Sequence, residues 1–249
     1  MSISIKTARE IEKMRRAGEL LEKVHDELGR AIHPGMSTWE INKLGEEMIR
    51  SFGCTPNFLN YNGYPASICV SVNEEVVHGI PSKKRILKEG DIVSLDAGVI
   101  YKGYHSDAAR THAVGAISPE AQKLIDVTRQ SFFEGIKFAK AGNHLNDISS
   151  AIQAYAESFG YGVVRDLVGH GIGTHLHEEP EVPNFAQKRK GIKLVPGMTL
   201  AVEPMINIGT PNVVWMDDDW TVVTKDHSLS AHYENTILIT EGEPEILSL

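Results

Sequence analysis

Cysteine is scarce in this chain. Only two of its 249 residues are cysteines, Cys54 and Cys69. One widely spaced pair provides neither a disulfide framework nor the closely spaced thiols of a zinc site. The sequence therefore predicts reduced thiols and a cytoplasmic protein.

Long apolar runs are also lacking. No stretch approaches the roughly 18 apolar residues that a membrane-spanning helix needs. The first six residues do not have the charged and apolar regions of a secretion signal. We therefore expect no membrane partner.

Positively charged residues are outnumbered: the chain has 25 Lys and Arg and 33 Asp and Glu, which gives a formal net charge of −8. Phosphate binding normally requires a basic surface, so this balance disfavours stable nucleic acid binding. The apolar fraction of 41% is enough for one substantial core, or for two halves sharing one.

Carboxylates occur where the local pattern has no use for a charge. Asp96 and Glu203 each interrupt an apolar run, and Glu234 stands just before another. A bare carboxylate in a half-buried strand costs several kcal/mol unless it is paired or bound to a cation. These three residues are therefore candidates for a metal site.

Two more residues complete the candidate set. Asp107 lies on the second arm of a predicted hairpin that also carries Asp96, so both carboxylates can reach one cavity. His170 lies among glycines, which let other groups approach its ring. Four carboxylates and one imidazole are too anionic to bury together without metal, and two divalent ions would neutralise them.

The chain contains an internal repeat at an offset of 107 residues. Gly35–Gly53 corresponds to Gly142–Gly160, and both segments end in Ser-Phe-Gly. The same offset places Asp96 on Glu203. We therefore expect two similar halves, each donating a strand-borne carboxylate to a shared site.

The order of predicted elements supports that organisation. Helices are predicted over about 8–32, 38–52, 119–139 and 146–159, and strands over about 67–72, 91–100, 104–113, 163–168, 198–206, 212–224 and 234–240. Helices followed by strands, twice over, suggest an α+β fold with a mostly antiparallel sheet and helices packed on one side. We expect one catalytic domain, 1–249, with halves of about 7–113 and 114–249.

Other polar residues have simpler interpretations beside the functional ones. His175 and His177 form a His-x-His pattern with no third ligand nearby, so His177 is interpreted as a catalytic donor outside the ligand set. His78 follows an apolar strand, and its alternative interpretation is a hydrogen-bonded core histidine. The three aspartates at 217–219 are interpreted as a solvated hairpin turn.

The chain resembles the type I methionine aminopeptidases over nearly its whole length. Besides Asp96 and Asp107, the resemblance rests on these motifs: Asn73-Glu74-Glu75-Val76-Val77-His78-Gly79-Ile80-Pro81, Gly169-His170-Gly171-Ile172-Gly173, His177-Glu178-Glu179-Pro180, Glu203-Pro204 and Tyr233-Glu234-Asn235-Thr236. It implies the pita-bread fold, a pseudo-two-fold duplication consistent with the repeat.

The resemblance also implies a metal centre and its occupants. Asp96 would hold one ion, His170 and Glu203 the other, and Asp107 and Glu234 would bridge two divalent ions. Four oxygen-donor residues and one imidazole suit Mn(II), Fe(II) or Co(II) and tolerate Zn(II). Members of the family also have a monovalent cation site for sodium or potassium, two of whose positions match Asn73 and Ser230.

Three residues have catalytic roles by the same resemblance. Glu203 would shuttle a proton, His177 would hydrogen-bond the substrate carbonyl, and His78 would lie near the scissile nitrogen. The substrate pocket would be formed by Phe58, Tyr61, Tyr64, Cys69, His78, Leu176, His177 and Trp220.

Three positions depart from the family pattern. Phe58 stands where a smaller residue is usual, Leu176 where an aromatic is usual, and Thr174 where arginine is common. We interpret the first two as compensating volume changes across one pocket.

The expected activity is removal of the initiator methionine from nascent proteins, before a small second residue. Its partners would be nascent N-termini, at the ribosome, and the chain would be a monomer. Three alternatives remain open: a prolidase or aminopeptidase acting before proline, a pita-bread module that only binds peptides, and a two-metal phosphoesterase. The last would need more cationic groups than Arg110 near the ligands.

Overall fold

The computed structural model describes residues 3–249. Its helices are α1 Ala8–Ala31, α2 Thr38–Ser51, α3 Pro119–Ile136 and α4 Leu145–Glu157, with a single 3-10 turn at Tyr61–Gly63. Its strands are β1 Thr55–Pro56, β2 Ile68–Val72, β3 Glu75–Val77, β4 Ile92–Tyr101, β5 Tyr104–Ala113, β6 Gly162–Val163, β7 Gly169–Gly171, β8 Glu178–Val182, β9 Thr199–Val202, β10 Met205–Asn207, β11 Val213–Trp215, β12 Val222–Thr224, β13 Ser230–His232, β14 Glu234–Leu238 and β15 Glu245–Ile246.

Capping residues fix where the helices begin. Thr7 and Glu10 form a capping box at the start of α1, and Ser37 and Glu40 form another at α2. Each box pairs backbone N–H groups that the first helical turn cannot satisfy by itself. The start of α3 is capped by Ser118, whose hydroxyl accepts a hydrogen bond from the backbone N–H of Ala121. All four predicted helices are present.

One antiparallel sheet forms the centre of the fold. Its strands run in the order β1-β4-β5-β14-β9-β7-β8, with β2 beside β4 and β15 beside β14. Two three-stranded sheets, β13-β10-β6 and β11-β12-β3, complete the architecture. The prediction of a mostly antiparallel α+β fold is confirmed.

Three strand predictions were wrong in their extent. The predicted strand 163–168 is only the short β6, and the exposed residues Arg165 and Asp166 follow it. The predicted strand 198–206 breaks at Glu203-Pro204, because proline has no N–H to donate to a ladder. The predicted strand 212–224 is the hairpin β11–β12, with the three aspartates in its turn.

Backbone hydrogen bonds recur at the offset of the sequence repeat. The N–H of Gly35 donates to the carbonyl of Leu87 over 2.8 Å, and that of Gly142 donates to the carbonyl of Leu194 over 3.0 Å. Both glycines have φ above +90°, which favours glycine. Gly35 and Gly142, 107 residues apart, therefore have the same local backbone structure.

The helices cover one face of the sheet. Buried residues of α1 and α2 pack against alternate residues of β4, including Leu95 and Ala97, and those of α3 and α4 pack against Leu200 and Val202 of β9. Successive strand residues point to opposite faces. Asp96 therefore points away from the helices, and the opposite face is free to carry a site.

Candidate metal centre

Five neighbouring strands each bring one predicted ligand to the face opposite the helices. Asp96 lies on β4, Asp107 on β5, Glu234 at the start of β14, Glu203 just after β9 and His170 on β7. Within the β4–β5 hairpin, Asp96 is opposite Ala109 and Asp107 opposite Gly98. This register puts the two aspartates diagonally adjacent on one face, as the sequence predicted.

The ligand atoms converge closely. His170 Nε2 lies 3.7 Å from Glu203 Oε1 and 3.9 Å from Asp107 Oδ2. One oxygen or nitrogen from each of Asp107, His170 and Glu234 lies within 4.8 Å of the others. Such spacing suits atoms that share a cation.

Burial strongly disfavours charge on these carboxylates. It raises the pKa of Asp96 to about 7 and that of Glu203 to about 8. The pKa values of Asp107 and Glu234 are also raised, first by burial and then by the neighbouring carboxylates. Without a cation the cluster would therefore hold protons near neutral pH.

Several carboxylate oxygens have no hydrogen-bond partner. Asp96 Oδ1, Asp107 Oδ1 and Glu234 Oε1 are buried and unpaired among residues 3–249. Unpaired buried acceptors are costly, whereas divalent cations accept several carboxylate oxygens at once. The cluster therefore fits a dinuclear metal site.

His170 has the tautomer that a metal ligand needs. Its Nδ1 lies 2.9 Å from the carbonyl oxygen of Gly171, so Nδ1 carries the proton and donates. Burial lowers the pKa of His170 to about 3. Its Nε2 therefore offers a lone pair to the carboxylate cluster.

A cavity of about 170 Å³ opens beside the carboxylates. It is lined by all five predicted ligands, by every predicted pocket residue and by one residue not predicted, Asn62. The pocket residues are Phe58, Tyr61, Tyr64, Cys69, His78, Leu176, His177 and Trp220. Most of them are apolar, and Phe58, Leu176 and Trp220 belong to the same hydrophobic cluster.

Two histidines border this cavity. The ring of His177 lies 4.3 Å from that of His170, and its Nδ1 is 2.7 Å from the hydroxyl of Tyr61. His78 adopts φ of 59°, a conformation that non-glycine residues rarely take. Burial, followed by the other imidazoles, lowers the pKa of His78 to about 4. Both rings are therefore neutral at pH 7.

The predicted monovalent cation residues lie away from this cavity but next to each other. The Ser230 N–H donates to the carbonyl of Asn73 over 2.9 Å, and Asn73 Oδ1 accepts from the N–H of Ile92. Thr174, the third departure from the family pattern, is exposed and contacts Glu178.

Sequence reasoning missed His232, which the structure places against the carboxylate cluster. His232 is 1% exposed, and its Nε2 lies 3.6 Å from Glu203 Oε2. It stands two residues before Glu234, and alternation along an extended chain directs such residues to one face. That spacing was the available signal.

Comparison with known proteins agrees with the fold and the cluster. A profile of metallopeptidase family M24 matches residues 12–241. The chain is 56% identical to a methionine aminopeptidase of Clostridium acetobutylicum, and the match covers 99% of both. It therefore belongs to metallopeptidase family M24, and within that family to the methionine aminopeptidases.

Solved structures place the same fold in two kinds of peptidase. A crystal structure of methionine aminopeptidase from Thermotoga maritima matches with a TM-score of 0.97, at 46% identity over 99% of both chains. A Xaa-Pro dipeptidase from Bacillus anthracis matches with a TM-score of 0.79 and 28% identity, over 98% of this chain but 61% of its own.

Proposed function

We propose that this chain removes the N-terminal methionine from proteins by metal-dependent hydrolysis of the first peptide bond. The observation that carries the proposal is that one cavity is lined both by the carboxylate cluster and by a group of mostly apolar side chains. Membership of the methionine aminopeptidases supports the same activity.

Five residues would hold two divalent ions: Asp96, Asp107, His170, Glu203 and Glu234. Asp107 and Glu234 lie on the neighbouring strands β5 and β14, and both would contribute carboxylate oxygens to the ligand set. When bound, the ions would supply Lewis acidity and lower the pKa of water. Mn(II), Fe(II), Co(II) and Zn(II) all suit the donors.

The protein's own groups would complete the reaction. His177 would donate a hydrogen bond to the carbonyl oxygen as negative charge develops there. Glu203 would carry a proton from the attacking water to the departing amine. His78, which also lines the cavity, would lie near the scissile nitrogen.

The cavity explains the choice of side chain. A linear thioether fits an apolar space lined by Phe58, Leu176 and Trp220, and methionine makes favourable contacts with aromatic rings. The carboxylate cluster forms one wall, so the second residue must be small to approach it.

The remaining assignments are also proposals. The substrates would be the N-termini of nascent polypeptides, reached at the ribosome in the cytoplasm by a monomeric enzyme. No helix within residues 3–249 combines the length and apolarity that crossing a membrane demands. Asn73 and Ser230 would hold a sodium or potassium ion.

The test is turnover of three peptides, Met-Ala-Ser, Leu-Ala-Ser and Ala-Pro-Ser, first in chelator and then with Mn(II) or Co(II). Metal-dependent release of methionine alone is expected. Release of alanine before proline would instead indicate an aminopeptidase that acts before proline. No release from protein that binds two ions would overturn the enzymatic proposal.

A further inference from the structure

His232 is buried against the carboxylate cluster, and none of the roles above uses it. Neither of its ring nitrogens has a hydrogen-bond partner among residues 3–249. One ligand atom each of His232, Glu203 and Glu234 lies within 4.8 Å of the other two.

The distance from His232 to Glu203 suits a shared ion better than a hydrogen bond. His232 Nε2 is 3.6 Å from Glu203 Oε2, too far for a good N–H···O bond. Ligands about 2.0–2.2 Å from one metal stand roughly 3–4 Å from each other. His170 Nε2 lies at almost the same distance, 3.7 Å, from the other oxygen of Glu203.

We propose that His232 is a sixth protein ligand of the metal centre, with Nε2 binding one ion together with Glu203 and Glu234. This inference rests on the proposed two-metal function. Glu203 then lies between two imidazole ligands, His170 on one carboxylate oxygen and His232 on the other.

A purely structural role explains the arrangement less well. An unpaired buried polar group costs about 1–3 kcal/mol, and structural histidines normally avoid that cost. His25, buried on the helix side of the sheet, avoids it at one nitrogen through a 2.8 Å contact from Nε2 to the carbonyl of Ala108, although its Nδ1 is unpaired. His232 makes no such bond at either nitrogen, but faces two carboxylates.

A second imidazole changes which metals the centre prefers. Imidazole nitrogen suits cobalt, zinc and iron, whereas manganese favours oxygen ligands. Removing His232 should therefore weaken cobalt binding more than manganese binding. Loss of groups that merely orient metal ligands already costs about 10–100-fold in affinity, so loss of a ligand should cost at least tenfold.

The experiment compares chelator-treated wild type with His232→Asn and His232→Gln. Asparagine keeps an amide near the Nδ1 position but cannot reach the Nε2 position, whereas glutamine reaches it without an imidazole. His112→Asn is the matched control. His112 is partly buried and its Nε2 is buried and unpaired, yet within residues 3–249 no carboxylate lies within ion-pair distance of it.

Calorimetric titration with Co(II) and Mn(II) gives the affinities, and X-ray absorption of the cobalt-loaded proteins counts imidazole ligands. We expect two imidazoles per pair of ions in wild type and in His112→Asn, and one in both His232 variants. Cobalt affinity should fall at least about tenfold in His232→Asn, with a smaller loss for manganese.

If X-ray absorption counts only one imidazole ligand in wild type that binds two ions, this inference is overturned and the proposed function is left intact. Unchanged cobalt affinity in His232→Asn would do the same. A wild type that binds no divalent ion would instead remove the proposed function itself. If His232→Asn does not fold, the imidazole count of His232→Gln decides.

Discussion

The hydroxyl of Tyr61 lies 2.7 Å from Nδ1 of His177, within hydrogen-bond distance. Burial, helped by the charge of Asp107, raises the pKa of Tyr61, so the phenol stays protonated and can donate to Nδ1, as the role proposed for His177 requires. Desolvation lowers the pKa of His177, so its ring is neutral. A neutral ring that accepts at Nδ1 must carry its proton on Nε2, which then is free to donate to a substrate carbonyl.

Tyr61→Phe should therefore slow turnover by loosening the orientation and tautomer of His177. The ring packing survives, while a hydrogen bond worth about 1 kcal/mol is lost. We expect kcat for Met-Ala-Ser to fall roughly fivefold, with the number of bound metal ions unchanged. Equal kcat in the variant and wild type would mean that the contact has no part in catalysis.

His177→Ala should have a larger effect of the same kind. Removing a hydrogen-bond donor to a developing oxyanion typically costs about 10²–10³ in kcat, and the metal content should stay at the wild-type value. The control is His175→Ala, because the His175 side chain is 81% exposed. Loss of bound metal in His177→Ala would show that His177 is a ligand instead.

The apolar pocket offers a test of compensating volumes. Leu176 and Phe58 are 2% and 8% exposed and belong to one cluster. Leu176→Phe should overfill the cavity, which costs about 1–3 kcal/mol in a packed site, and should raise KM for Met-Ala-Ser several-fold. Phe58→Cys in the same chain should restore KM.

The controls for that experiment are thermal unfolding and the single Phe58→Cys variant. Equal KM in Leu176→Phe and in the double variant would mean that the two side chains do not share the space that holds methionine. A lowered Tm without a change in KM would assign them to the core alone.

The sequence singled out the candidate ligands because their charges are anomalous in apolar strands. Asp96 and Glu203 stand out in that way, and the internal repeat links the two positions to each other. Most of the pocket residues are ordinary apolar side chains, which do not stand out in the sequence. Only the resemblance to a family identified Phe58 or Trp220. Local pattern does not say which loops meet.

His232 was missed in the sequence for a different reason. Its nearest carboxylate, Glu203, is 29 residues away in the sequence, and the two meet only because β10 pairs with β13. That pairing depends on the break at Glu203-Pro204, where the sequence predicted one continuous strand. An error in a strand boundary thus hid a residue of the site.

An ion pair at Glu178, the residue that follows His177, helps to hold this segment in place. Lys6 Nζ lies 2.6 Å from Glu178 Oε2, with the two side chains 3% and 11% exposed. Glu178 also accepts from the N–H of His175 at 3.1 Å. Burial alone would raise the pKa of Glu178, but the hydrogen bonds from Lys6 and the His175 backbone lower it overall, below its usual value of 4.5.

Lys6→Met should destabilise the protein by about 3–5 kcal/mol at pH 7, because it leaves the Glu178 carboxylate buried without its partner. A carboxylate with a lowered folded pKa stabilises the fold above its unfolded pKa, and that stability is lost as pH falls through the folded pKa. The difference between wild type and variant should therefore shrink below about pH 4.5. Urea unfolding of both proteins at several pH values measures it, with Lys6→Met/Glu178→Gln as control, since the neutral amide should recover part of the loss. A difference that stays constant from pH 7 to pH 4 would show that Lys6 stabilises the fold by packing rather than by its charge.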